Sequence, residues 1–269
     1  MTRVYISADL EGVSGVVHGS QLNEGTEYEA ARRLMTEEVN AAIAGALDAG
    51  ASEIVVNDSH GSMRNLLPDR LNPAALLITG TPKPLSMVEG VQDGEYRCAM
   101  FVGYHAGMGC LGVLSHTYSG SRVRNVKVNG INMGETGINA AVAGAFNIPV
   151  ALITGDDRVC AEASELLPGI ITADVKQARG RYVARGLHPE KARELIRKQA
   201  KLAVERAGEM EPLRLSEPVA LELEFLNSGQ AEGGALLPGV RMLNPTTLEF
   251  RGDSLLQAFA MLRALINLG

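Results

Sequence analysis

Asp9 and Glu11 stand two residues apart in the stretch SADLEG, directly after an apolar run, and Gly12 follows them. Strand side chains alternate, so this spacing lets both carboxylates project to one side. Alone, such acids read as ordinary loop residues. The arrangement recurs, however: IVVNDSH ends on Asp58 and His60, MFVGYH on His105 and GVLSH on His116. Three of the chain's five histidines therefore follow apolar, strand-like runs. The other two, His18 in a polar loop and His188 ahead of Pro189, read as surface or capping residues. Imidazoles and carboxylates without a thiolate suit Zn2+, Mn2+ or Co2+. One carboxylate of the Asp9–Glu11 pair has the local geometry to bridge two ions, a recurring device of hydrolases. Glu135, in MGETG, offers a further acid; its plainer role is that of a first-turn helix acid. Asp58 reads equally as an orienting partner for His60 or as a turn former. Asp156 and Asp157 read as caps of the next helix.

Other chemistries fit less well. GMGCLG, residues 107–112, spells GxGxxG, but a dinucleotide fingerprint needs a helix immediately after the glycines. The segment that follows, VLSHTYSGSRV, has no helical period. There is no G-x-S-x-G nucleophile elbow. Cys110 lies between His105 and His116 but lacks the partner spacing of a thiol nucleophile.

The elements that must position these residues alternate. RVYISA, SEIVVND, AALLITG, CAMFVGYH and PVALITG read as strands. TEYEAARRLMTEEVNAAIAGALDAG reads as a helix, with a capping box at Thr26 and Glu29 and a stop at Gly50. TGINAAVAGAFN is a small-residue helix, and VRNVKVNGINMGE a hairpin turning at Asn129-Gly130. This order predicts an α/β layer fold, and the hairpin predicts a mixed sheet. From Pro189 a charged amphipathic helix runs to Gly208; PVALELEFL, TTLEFRG and a closing helix follow. The expected organisation is a metal-binding α/β domain over 1–180 and a smaller C-terminal α+β portion over 181–269, with a soft boundary.

Composition narrows the partners. The 269 residues carry a net charge of −6 without a basic block, so nucleic acid and anionic membrane are not expected partners. No apolar run is long enough to span a bilayer, and MTRVYISADLEG has no signal-peptide h-region, so the expected location is the cytoplasm. Cys98, Cys110 and Cys160 fit neither a disulfide framework nor a CxxC metal site and are expected to be reduced.

At these residues the chain resembles the zinc-dependent D-aminopeptidases encoded with dipeptide-transport genes. The resemblance rests on SADLEG, VNDSH, KPLSMVEG, GYHAG, LSHT, GETGINA, TGDD, VKQA and GQAE, in order to about residue 232. It implies a three-layer α/β/α fold and two Zn2+ per subunit, with Asp9 bridging, Glu11 and His105 completing one ion, and His60 and Glu135 the other. It implies a second essential histidine at His116, whose role as nucleophile, general acid or oxyanion stabiliser stays open. It also implies a short peptide substrate with an N-terminal D-residue and a ring-stacked homodecamer. Glu11, Glu89 or a metal ion could receive the substrate amine.

Overall fold

Val4, Ile6 and Ala8 face one hydrophobic core and Tyr5 faces another, so the first strand is buried on both sides. That pattern belongs to a sheet covered by helices on both faces. The computed structural model describes residues 2–269. Its elements, in chain order, are β1 (Arg3–Ala8), α1 (Thr26–Asp48), β2 (Glu53–Asp58), β3 (Ala75–Ile78), β4 (Cys98–Tyr104), β5 (Val123–Val128) and β6 (Ile131–Asn132). They continue with α2 (Glu135–Ala145), β7 (Val150–Asp156), α3 (Asp157–Leu166), β8 (Ile171–Gly180), β9 (Val183–Gly186) and α4 (Pro189–Arg206). The chain closes with β10 (Val219–Phe225), α5 (Ser228–Gly234), β11 (Val240–Asn244), β12 (Thr247–Gly252) and α6 (Leu255–Leu268).

Seven strands form the main sheet in the order β3-β2-β1-β4-β7-β8-β9. All its pairings are parallel except β8 with β9, so the sheet is mixed, as expected. Helices α1 and α4 cover one face; α2 and α3 lie in the core on the other. The strand order reverses between β1 and β4. In open α/β sheets, ligands bind in the crevice beyond the strand C-termini at such a reversal. Two close backbone approaches seam that crevice. A Cβ on Gly12 would lie 1.9 Å from the Tyr104 carbonyl oxygen, and one on Gly103 would lie 2.3 Å from the Asp9 carbonyl oxygen. Gly12 is therefore required by contact between neighbouring segments.

A second, antiparallel sheet has the order β11-β12-β10-β5-β6. The hairpin turns at Asn129 and Gly130, both at positive φ, as their types predict. Helix α6 packs against α2 and against β10 and β12, joining this sheet to the core beneath the main sheet. The second sheet takes β5 and β6 from the middle of the chain, whereas α4 packs on α1 over the main sheet. A division at 180/181 therefore does not separate the two sheets. Gly45 makes the α1–α4 contact possible: a Cβ there would stand 2.2 Å from the Arg197 carbonyl oxygen. The capping box at Thr26 does not form. Gly25 is the N-cap of α1, Thr26 is its first residue, and no side chain caps that end. Gly50 follows the helix end at φ 86°, in the expected stop position. His188 caps α4 and Asp156 caps α3 through their side chains. Among the described residues, no helix is long and apolar enough to cross a membrane.

Candidate metal centre

Three adjacent strands end at the crevice. β1 delivers Asp9 and Glu11, β2 delivers His60 and β4 delivers His105. Glu135 opens α2 behind the N-cap Gly134, so its carboxylate lies at a helix N-terminus. His116 comes from a loop, not from a strand end as its apolar prelude suggested. Val113 and Leu114 are buried, but their N–H groups donate to the Asp156 carboxylate and the Arg181 carbonyl instead of a strand ladder. All six side chains line one cavity of about 150 Å³, together with Tyr118 and Arg263. A larger cavity, about 400 Å³, is lined by Gly107, Cys110, Thr117 and Glu162 among others and contains none of the six.

The donor atoms converge. His60 Nδ1 is 2.9 Å from Glu11 Oε2 and 3.3 Å from Asp9 Oδ1. His105 Nε2 is 3.5 Å from both Asp9 Oδ2 and Glu135 Oε1. His116 Nε2 is 3.7 Å from Glu135 Oε1, and its ring stacks on His105 at 4.1 Å. Each imidazole spends its other nitrogen on a backbone carbonyl: His60 Nε2 on Leu22 at 2.9 Å, His105 Nδ1 on Ala106 at 3.0 Å, and His116 Nδ1 on Leu114 at 3.0 Å. With those nitrogens donating, each ring turns its remaining nitrogen into the cavity, the orientation that metal-bound histidines take. Asp9 Oδ2 is buried and has no hydrogen-bond partner among the described residues. A buried carboxylate oxygen left without a donor is costly unless a cation meets it.

Charge at the cluster is tightly balanced. Burial, and then the neighbouring Glu11 carboxylate, raise Asp9 from 3.8 to about 7. Burial would also raise Glu11, but facing His60 holds it well below the usual carboxylate range. His105 is raised to about 10 because Glu135 and the other carboxylates outweigh burial, and at His60 Glu11 and Asp9 outweigh burial and raise it well above its ordinary value. His116 moves the other way: burial and the adjacent His105 lower it. The carboxylates thus favour positive charge on His60 and His105, the charge that divalent cations would supply.

Three donor triads have all their atoms within 4.8 Å of one another: Asp9–Glu11–His60, Asp9–His105–Glu135 and Glu11–His105–His116. The first two share Asp9. The third holds Glu11 and His105 together, the pair that the family resemblance assigns to one ion.

The sequence model of the D-aminopeptidase family, peptidase M55, matches residues 2–264. The chain belongs to this family. The match extends beyond residue 232, where the recognisable motifs end, and takes in most of α6. A D-aminopeptidase of Bacillus subtilis (strain 168) is 40% identical over 268 residues, covering 99% of this chain and 97% of its own. The solved structure of the Zn-dependent D-aminopeptidase DppA from Bacillus subtilis, described as a self-compartmentalizing protease, superposes with a TM-score of 0.95 at 39% identity. That superposition covers 99% of this chain and 97% of the other. The mixed α/β fold is therefore the fold of a D-aminopeptidase.

Around the D-aminopeptidase-family cluster, the structure settles several open roles. The Asp58 carboxylate accepts from the Asn65 and Leu66 N–H groups and from Asn65 Nδ2. It does not touch the His60 ring; it shapes the loop, and Asn65 Nδ2 also reaches the His60 carbonyl. The Glu89 carboxylate accepts from the Leu85 N–H and Gln92 Nε2, and it is not among the cavity residues. GMGCLG forms turns with no helix after it, consistent with a chance match to the nucleotide motif. All three cysteines are free.

Three residues at the site went unassigned in the sequence. The Tyr118 N–H donates to Glu135 Oε1 at 2.6 Å. Lys176 is buried beneath SADLEG, and its Nζ donates to the carbonyls of Glu11, Val13 and Val16 at 2.5, 2.9 and 2.7 Å. Burial lowers it from 10.5 to about 8, so at neutral pH it remains an ammonium with all three donors used. Arg263 lies on α6 and lines the cavity.

Proposed function

We propose that the chain is a zinc-dependent D-aminopeptidase that removes N-terminal D-residues, such as D-Ala, from short peptides. The observation that carries this reading is the Asp9 carboxylate shared between two donor triads, with Oδ2 unpartnered and inward-facing imidazoles on both sides. Asp9, Glu11, His60, His105 and Glu135 would hold the two ions, with Asp9 shared between them. Their ligand types suit Zn2+, with Mn2+ and Co2+ as chemically related occupants. When bound, such a pair supplies an activated water and polarises the scissile carbonyl.

The chain's own groups do the rest. The Leu22 and Ala106 carbonyls fix the His60 and His105 rings, and the Tyr118 N–H fixes the Glu135 carboxylate. His116 is held through Nδ1–H, and its lowered pKa leaves Nε2 unprotonated at neutral pH. It is placed to take a proton during attack and return it to the leaving amine. The third triad, Glu11–His105–His116, supports a second reading in which His116 is itself a metal ligand. Metal analysis of His116→Ala separates the two: two ions retained with turnover lost fits a proton carrier, and loss of an ion fits a ligand.

The relative's self-compartmentalizing architecture supports a closed homo-oligomer enclosing the sites, and the family resemblance points to a homodecamer. A cytoplasmic location fits the free cysteines. A panel of D- and L-dipeptides assayed with and without chelator tests the function. Preferential cleavage of L-Ala peptides, or full activity in metal-free protein, would overturn it.

A further inference from the structure

Arg263 is the cavity's unspent cation. It projects from α6 with its guanidinium carbon 5.2 Å from the centre of the Tyr118 ring, and it lines the same cavity as the six converging residues. Among the described residues, it makes no ion pair within 4.0 Å and donates no hydrogen bond to protein, although it is only half-exposed. The chain's other cavity-lining charges are all engaged with one another at the donor cluster. A guanidinium carries five N–H donors in a planar fork that matches a carboxylate at two points. Seated on an aromatic face, it has one side fixed and its donor edge free for a ligand.

We infer that Arg263 binds the C-terminal carboxylate of a short peptide substrate and makes the site favour a free C-terminus over an amidated one. This rests on the D-aminopeptidase reading and adds a recognition element to it. The scissile bond lies at the donor cluster, and Arg263 lines the same cavity, so the carboxylate of a short peptide held at the cluster comes within its field. An amidated peptide offers no anion.

The experiment compares D-Ala-D-Ala with its C-terminal amide, using zinc-loaded parent, Arg263→Gln and Arg263→Lys. Turnover is measured as kcat/KM. Binding is measured by calorimetry with a non-hydrolysable analogue in which CH2–NH replaces the peptide bond, prepared as acid and as amide. The expected parent preference for acid over amide is about 10- to 100-fold in both readouts, the scale of one charge-assisted bidentate contact. Arg263→Gln should bring the preference close to unity, and Arg263→Lys should retain part of it. A structural role on Tyr118 alone would lower acid and amide alike and leave the ratio unchanged. No preference in the parent, or an undiminished one in Arg263→Gln, overturns the inference. If neither peptide is cleaved but the acid analogue binds preferentially through Arg263, the carboxylate site stands and the aminopeptidase reading falls.

Discussion

Replacing Lys176 with methionine removes one ammonium and orphans three carbonyls in the loop that carries the first two carboxylates. Each hydrogen bond to a charged donor contributes roughly 1.5–3 kcal/mol. Against that, burying the lysine as a cation costs about 3 kcal/mol, since it falls from 10.5 to about 8 at roughly 1.4 kcal/mol per unit. Methionine is similar in length, fills the space and recovers that cost. The net loss for metal-free protein should be about 1.5–6 kcal/mol, read from denaturant unfolding. The larger consequence is local. The Glu11 carbonyl is one of the three acceptors, so its side chain loses its anchor while His60, His105 and Glu135 keep theirs. A support of this kind is typically worth 10- to 100-fold in metal affinity. A zinc titration against a competing chelator should show one weakened ion and one nearly unchanged. Two sites within threefold of the parent in Lys176→Met would refute the idea that this lysine positions Glu11.

Further outcomes follow from the same geometry. His116→Ala should keep two ions and lose about 10²- to 10⁴-fold in kcat, the range of a general acid–base group; parent-like turnover would remove His116 from the chemistry. Zinc uptake at pH 7 should release roughly two or three protons per chain, because His60, His105 and part of the Asp9 population are protonated in the metal-free cluster. Their raised pKa values let protons compete increasingly as pH falls, so affinity should drop with acidification. Calorimetry in two buffers of different ionisation enthalpy reads this release, and none at pH 7 would contradict the charge balance described above. Gly12→Ala should cost more than the ~1–3 kcal/mol of ordinary overpacking, because its Cβ would fall 1.9 Å from the Tyr104 carbonyl oxygen. A melting temperature equal to the parent's would show that the β1–β4 seam yields easily.

Much of the site was legible because an open parallel sheet displays chemistry at its strand ends, and periodicity finds strands. That pattern singles out Asp9, Glu11, His60 and His105, which line one cavity. His116 follows an apolar run that is not a strand: Val113 and Leu114 are buried like strand residues, but they anchor a loop. Burial is what periodicity detects, and a buried loop can imitate it. Lys176 was hidden by a register shift. Ile171, Ala173 and Val175 alternate inward, then the pairing between β7 and β8 slips near Asp156, and Val175 and Lys176 are both buried. Arg263 looked like any charged residue on an amphipathic helix, because a helix's own spacing does not say what stands opposite. The same limit explains α4: its apolar stripe was evident, but α1 as its partner was set by Gly45.

The central claim is that this cluster holds two zinc ions and uses them to cleave D-peptides. The most direct measurement is turnover of D-Ala-D-Ala, with L-Ala-L-Ala alongside, as zinc is added stepwise to metal-free protein. The account expects negligible activity without metal, a plateau at two equivalents per chain and a clear preference for the D-peptide. Full activity before any zinc is added, a plateau at one equivalent, or faster cleavage of the L-peptide would contradict it.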